Sequence, residues 1–258
     1  MEHHWDCYLC KVNGKLASIF LDRNLQSSAP DAKRSWLLWL RLNFNSPRPD
    51  GLSSREELDQ LLAVEKPLRS EVESKCNAVY TGTITTDGGR EFYWYAPSAE
   101  HFERAARAVM SVFKGYKFEL GAKRDPSWTL YMEVLSPTPE QLQVMGNRSV
   151  LDSMREQGDA LETSRAVSHW IYFGSAEDRS RFEKEALRLG FQVNSQYELE
   201  ERERTFAIVV VKENAMTQQG IDADVLALFR AALASDGEYD GWEAEVIRAT
   251  DADTPSAV

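Results

Sequence analysis

Ser235-Asp236-Gly237-Glu238-Tyr239-Asp240-Gly241-Trp242-Glu243-Ala244-Glu245-Val246 decides how this chain reads. A helical apolar pattern (Val225, Leu228, Phe229, Ala232) runs into it, and two glycines bracket an acidic-aromatic turn. A strand-like alternation leaves it, which predicts a helix over 222–234, a turn, and a last strand over 242–247. Upstream, Arg165-Ala166-Val167-Ser168-His169-Trp170-Ile171-Tyr172-Phe173 supplies the first strand of the same unit. Between them lie a helix over 176–189, with Ser175 as cap and Gly190 as stop, and two strands over 192–199 and 205–211. A charged turn at 200–204 joins those strands. The order β-α-β-β-α-β is the split βαβ plan of ferredoxin-like domains.

Moving toward the N-terminus, the same order recurs. A strand over 36–44 is too apolar to alternate and reads as central. Ser53 with Glu56 forms a capping-box signature for a helix that Pro67 bends or splits. Strands over 78–85 and 91–95 flank the turn Asp87-Gly88-Gly89. Ser98 caps a second helix carrying Phe102, Ala106, Val109 and Phe113, which Gly115 closes. A strand over 117–122 completes the set. Asn13-Gly14 marks an additional N-terminal hairpin, and 128–135 reads as an extra strand. Residues 137–158 are polar and helical, with Gly146 and Asn147 as a break, and read as a junction. The expected fold is therefore α+β: two tandem ferredoxin-like (βαββαβ) α/β-sandwich domains, 1–136 and 137–258, the first with an added N-terminal hairpin. Each should form a four-stranded antiparallel sheet with two helices on one face, and Trp170 or Trp242 should be largely buried.

Composition fits that plan. A hydrophobic share of 43% and a charged share of 28% are those of a globular protein. No apolar run approaches the ~20 residues that cross a bilayer, and the start Met1-Glu2-His3-His4-Trp5-Asp6 lacks the layout of a secretory leader. With three cysteines, an odd number, a reducing cytoplasm is the expected location. Charge is unevenly placed: residues 148–258 carry 12 Lys/Arg against 22 Asp/Glu, whereas the rest is near balance. An acidic half repels phosphate backbones and attracts basic protein segments.

Residue types that carry chemistry are present, but not in working arrangements. His3, His4, Cys7 and Cys10 are zinc-ligand types, but positions 7 and 10 of a strand face opposite ways. Asp236-Gly237-Glu238-Tyr239-Asp240-Gly241 imitates the opening of a calcium loop, yet its twelfth position is Ile247 instead of the bidentate Glu such a loop needs. His169 has no nucleophile or orienting carboxylate identifiable beside it, and reads as a structural histidine. Phe92-Tyr93-Trp94-Tyr95 could stack bases, but lacks clustered Lys/Arg and reads as packing. No phosphate-cradling glycine loop or nucleophile elbow occurs. Catalytic, metal and cofactor residues are accordingly expected to be none.

Gly237-Glu238-Tyr239-Asp240-Gly241-Trp242, with the 165–173 strand and Leu189-Gly190-Phe191-Gln192-Val193, resembles the regulator of ribonuclease activity B (RraB)-like family. The first half resembles the domain-of-unknown-function family 695, through Pro49-Asp50-Gly51-Leu52 and Gly89-Arg90-Glu91-Phe92-Tyr93-Trp94-Tyr95. That family often precedes an RraB-like domain and brings no known activity. The resemblance implies a non-catalytic regulator whose partner is ribonuclease E, restrained by protein contact. Glu238, Tyr239 and Asp240 are the partner-binding candidates, facing a basic segment with no direct nucleic-acid or membrane contact. The alternative is an uncharacterised enzyme or small-ligand binder using a cleft between the domains.

Overall fold

The structure, a computed structural model, describes residues 3–200 and 204–248. The chain folds as two compact units, Met1–Pro137 and Thr138–Val258. Both are mixed α+β units built on an antiparallel sheet.

The first unit runs β1 (Trp5–Val12), β2 (Lys15–Asp22), β3 (Trp36–Asn43), α1 (Arg55–Cys76), β4 (Val79–Thr86), β5 (Gly89–Ala96), α2 (Phe102–Met110) and β6 (Lys117–Arg124). Its sheet has six strands, in the order β1-β2-β4-β5-β3-β6. The N-terminal hairpin joins at the β4 edge, so the four-stranded expectation holds only for β4-β5-β3-β6. Both tight turns use positive φ, at Asn13 and Gly14 (51°, 78°) and at Asp87 and Gly88 (52°, 70°). Paired positive φ gives a two-residue turn whose twist matches the strands. Leu38, Leu40, Leu42, Phe92 and Trp94 form one sheet face against Leu61, Val64, Leu68 and Val72 of α1 and Phe102, Ala106 and Met110 of α2.

Local structure departs from expectation at several points. Helix α1 is not split at Pro67, because buried Leu61, Val64, Leu68 and Val72 hold one stripe across the exposed proline. Its cap is Ser54, accepting from the Glu57 amide, one residue beyond the expected Ser53. Ser98 does not cap α2, which follows left-handed His101 without a side-chain cap and ends at Met110, before Gly115. The expected strand over 128–135 is a π-helical turn, Leu130–Leu135. Asp125 decides this by accepting from the amides of Thr129 (3.0 Å) and Leu130 (3.2 Å) and from the Tyr95 hydroxyl (2.5 Å). The turn lies over the other sheet face, with Tyr131 donating to the Asp22 carbonyl and Tyr8 to that of Leu135.

The second unit comprises α3 (Pro139–Glu156), β7 (Arg165–Phe173), α4 (Ala176–Arg188), β8 (Gln192–Glu198), β9 (Phe206–Asn214), α5 (Gln218–Ala234) and β10 (Gly237–Ala244). Its sheet order is β10-β7-β9-β8, every pair antiparallel. Val167, Ile171 and Phe173 of β7 and Ile208 and Val210 of β9 pack with residues of all three helices in one core. The region read as a junction is thus a structural helix: Thr138 and Gln141 form a reciprocal capping box, and Leu151 and Met154 enter the core. It passes Gly146 and Asn147 unbroken because Asn147 is buried and donates to Asp222 (2.8 Å). The last strand begins at Gly237, five residues before the expected start. Trp170 and Trp242 are both partly buried, and Trp242 packs against the core. Glu201, Arg202 and Glu203 of the charged turn lie outside the described residues.

Candidate protein-binding site

β10 is the acidic edge strand of the second sheet. Gly237 and Tyr239 lie opposite Phe173 and Ile171 of β7, on the helix side, whereas Glu238 and Glu243 lie opposite Tyr172 and Ser168, on the outer side. The register slips between Tyr239 and Gly241, which makes Asp240 a bulge and sets Gly241 opposite Trp170. Bulges of this kind re-aim side chains at sheet edges. Each glycine has a physical reason. A Cβ on Gly237 would stand 2.2 Å from the Phe173 ring, while Gly241 has φ 151° and open space where a Cβ would project. The outer face therefore shows Glu238, Gly241 and Glu243 in a row beside Tyr172, Trp170 and Ser168, with Asp240 at the rim. Trp170, Tyr172, Asp240, Gly241, Trp242 and Glu243 line an open concavity of ≈ 360 Å³ there.

Tyr239 points the other way. It is buried, and its hydroxyl shares a 2.8 Å hydrogen bond with Nδ1 of fully buried His169. Burial, then the nearby Asp224 carboxylate, raises the Tyr239 pKa well above its ordinary value. Burial lowers the His169 pKa to about 4, outweighing the attraction of Asp224, with Lys212 acting in the same sense as burial. The other ring nitrogen, Nε2, is buried without a hydrogen-bond partner, so protonating this imidazole inside the fold is doubly unfavourable. The pair serves as a tie between β7 and β10.

The ends of β10 are held separately. Arg204 donates to the Asp236 carbonyl and stands 3.6 Å from the Asp236 carboxylate and 3.7 Å from that of Glu238. Both acids are well exposed, so these pairings are weak. Just beyond the other end, Arg165 and Asp159 form a buried 2.6 Å ion pair. Arg165 also donates to the carbonyls of Glu245 and Ala160, and Asp159 accepts from the Ile247 amide. Trp242 donates to Asn147 of α3 (2.8 Å), anchoring the strand's middle.

Of the three sequence candidates, Glu238 and Asp240 are exposed on this rim and Tyr239 is inside. Sequence reasoning missed Trp170, Tyr172 and Glu243. The signal for the first two was available: β7 carries large residues at 170 and 172 as well as at 167, 171 and 173, so both its faces are apolar. The Arg165–Asp159 pair had no comparable signal.

The remaining candidates are dispersed. Cys7 is exposed and Cys10 half-buried, on opposite faces of β1, while His3 Nδ1 lies 2.5 Å from Asp22. Phe92 and Trp94 belong to the helix-side core, with Tyr93 and Tyr95 on the other face. No group of three or more His, Cys, Asp or Glu among the described residues is placed to hold a metal ion. No helix among them is long and apolar enough to cross a membrane.

Comparison with known proteins divides the chain at the same place. The model of a family of unknown function, DUF695, matches residues 3–136, and that of regulator of ribonuclease activity B matches residues 145–244. Regulator of ribonuclease activity B of Escherichia coli K12 is 32% identical over 111 residues, covering 40% of this chain and 78% of that protein. The Salmonella typhi protein of the same name is 33% identical over 100 residues, covering 37% and 70%. A solved structure of an unknown protein from Galdieria sulphuraria has a TM-score of 0.21 at 9% identity, over 80% of this chain and 96% of that one, which is too low to bear on the fold.

Proposed function

Because this chain belongs to the DUF695 family through its first part and to the regulator of ribonuclease activity B family through its second, we propose that it is a non-catalytic regulator acting by protein contact. Its target is a ribonuclease of the ribonuclease E type, reached through a basic protein segment and without direct contact to nucleic acid. The observation that carries this reading is the exposed acidic row on β10: Glu238, Asp240 and Glu243 along one sheet edge. Such a row steers a basic segment toward it and supplies acceptors for its donors. It also repels RNA, so the regulator occupies the enzyme without competing as a substrate. We read both units as ferredoxin-like, a reading supported by the shared order of β4-β5-β3-β6 and β8-β9-β7-β10. Residues 1–136 and 137–258 are the corresponding domains, and the cytoplasm, where ribonucleases process RNA, is the proposed location.

The test is titration of the full chain into purified ribonuclease E, with RNA cleavage and binding followed at two salt concentrations. Cleavage should fall as a stoichiometric complex forms, and binding should weaken with salt because exposed charges are screened beyond ~8 Å at physiological ionic strength. The double variant Glu238→Gln, Asp240→Asn should bind less tightly at low salt. Unchanged cleavage with no complex, or equal affinity of parent and variant at both salts, would overturn the proposal.

A further inference from the structure

The concavity beside the β10 bulge has a more specific character than an acidic surface, and the role inferred for it rests on the protein-binding function proposed for the chain. Its floor is aromatic: partly exposed Trp170 of β7, with buried Tyr172 beside it, and Gly241 opposite Trp170 has no side chain to cover the indole. Its rim is anionic. Positions two apart on one strand face stand about 7 Å from each other, so Glu238 and Glu243 flank the Gly241 gap from both sides, and the bulge adds Asp240. Among the described residues Asp240 and Glu243 have no ion-pair partner, while the chain's own Arg204 takes Asp236 and Glu238 at the near end. Three of these features come from separate causes: the strand alternation sets the aromatics, the register slip sets the gap, and the sequence sets the acids.

We infer that this concavity is a binding pocket for an arginine side chain presented by an extended basic segment of the protein partner. A planar guanidinium can lie on an indole face and still aim its N–H fork sideways at carboxylates, which an ammonium cannot do. The pocket is unsuited to a phosphate, which its acids repel. It is also unsuited to a bare metal ion, because the acids are spread along the strand and do not converge. Arg204, reaching the same strand from within the chain, shows that guanidinium and β10 carboxylates are sterically compatible.

The experiment uses the full chain with indole nitrogens labelled for NMR, and three seven-residue peptides alternating serine with arginine, lysine or citrulline. Comparison with Trp170→Val identifies the Trp170 signal among the seven tryptophans. The arginine peptide should shift that signal and bind about five- to tenfold more tightly than the lysine peptide, the range expected of a partly desolvated cation–π contact. The citrulline peptide should neither bind nor shift it. Trp170→Val and, should that variant fail to fold, Glu243→Gln should each weaken the arginine peptide several-fold while the other indole signals stay in place. Equal binding of arginine and lysine peptides, or arginine binding that leaves Trp170 and both variants unaffected, would overturn the pocket and leave the acidic-surface reading standing. Arginine binding at Trp170 in a chain that ignores ribonuclease E would keep the pocket and remove that enzyme as the target.

Discussion

The two sheets share a strand order over β4-β5-β3-β6 and β8-β9-β7-β10 and differ in what becomes of their outer faces. In the first unit, Leu37, Tyr95, Ile19 and Leu21 lie on the face away from α1 and α2, and the segment after β6 closes over them. Trp128 stacks on Tyr95 with centroids 4.1 Å apart and planes within 7°, and donates to the Arg34 carbonyl. Tyr131 and Leu135 are fully buried beside it. In the second unit, Trp170 and Tyr172 hold the equivalent side of β7, where Tyr172 is buried and Trp170 partly exposed at an open concavity. Outer-face aromatics are thus fully packed in the first unit, whereas in the second Trp170 stays partly exposed and forms the candidate site. In the first unit that packing is supplied by the short segment after β6.

That contrast can be tested by removing aromatics from each face. Trp128→Ala should produce the largest effect, about 3–5 kcal/mol of lost stability, since a fully packed large aromatic is deleted. Urea unfolding of the full chain, read by the loss of first-unit amide signals, measures it; a loss under ~1 kcal/mol would mean that the segment merely rests on the sheet.

A pH titration separates the second unit by its core instead of its face. His169 has a folded pKa of about 4 against an ordinary 6.5. The unfolded chain therefore binds a proton below 6.5 that the folded chain refuses. The contribution is fully present above pH 6.5 and is lost as pH falls toward 4, amounting to roughly 3 kcal/mol by linkage. Amide exchange in β7 and β9 should report it, and His169→Leu should flatten this part of the profile. An unaltered slope in the variant would assign the acid sensitivity elsewhere.

The smallest effect belongs to the open face. Trp170→Val keeps a strand-forming residue at a partly exposed position outside the core cluster and should change stability by no more than about 1 kcal/mol. Thermal melts of parent and variant suffice. A loss as large as that of Trp128→Ala would show that the outer face of the second sheet is also a core, and would end the comparison.

Much of the architecture was legible because local chemistry and fold agree. Asn13-Gly14 and Asp87-Gly88 made the tight turns they announce, Ser175 capped α4, and Gly190 ended it with φ 88°. Legibility failed where one residue type serves two purposes. Gly237 and Gly241 read as turn punctuation, but the first makes room for Phe173 and the second accommodates a bulge, so the strand runs through both. The β-prone residues of 128–135 were bent into a π-helical turn by two amide hydrogen bonds to Asp125, which the Tyr95 hydroxyl holds in place. Thr217, the actual cap of α5 through the Gly220 amide, was passed over because the apolar stripe begins later.

The sequence by itself determined most of the element order, the α+β class, the family of each half and the excess of acid in the second. These depend on residue types and short spacings, which need no partner to be read. Tertiary structure alone decided which acids face outward, that Tyr239 turns inward to His169, and that Trp170 lies opposite a glycine. Each of those outcomes depends on strand register, and a single bulged residue exchanges the faces of everything beyond it.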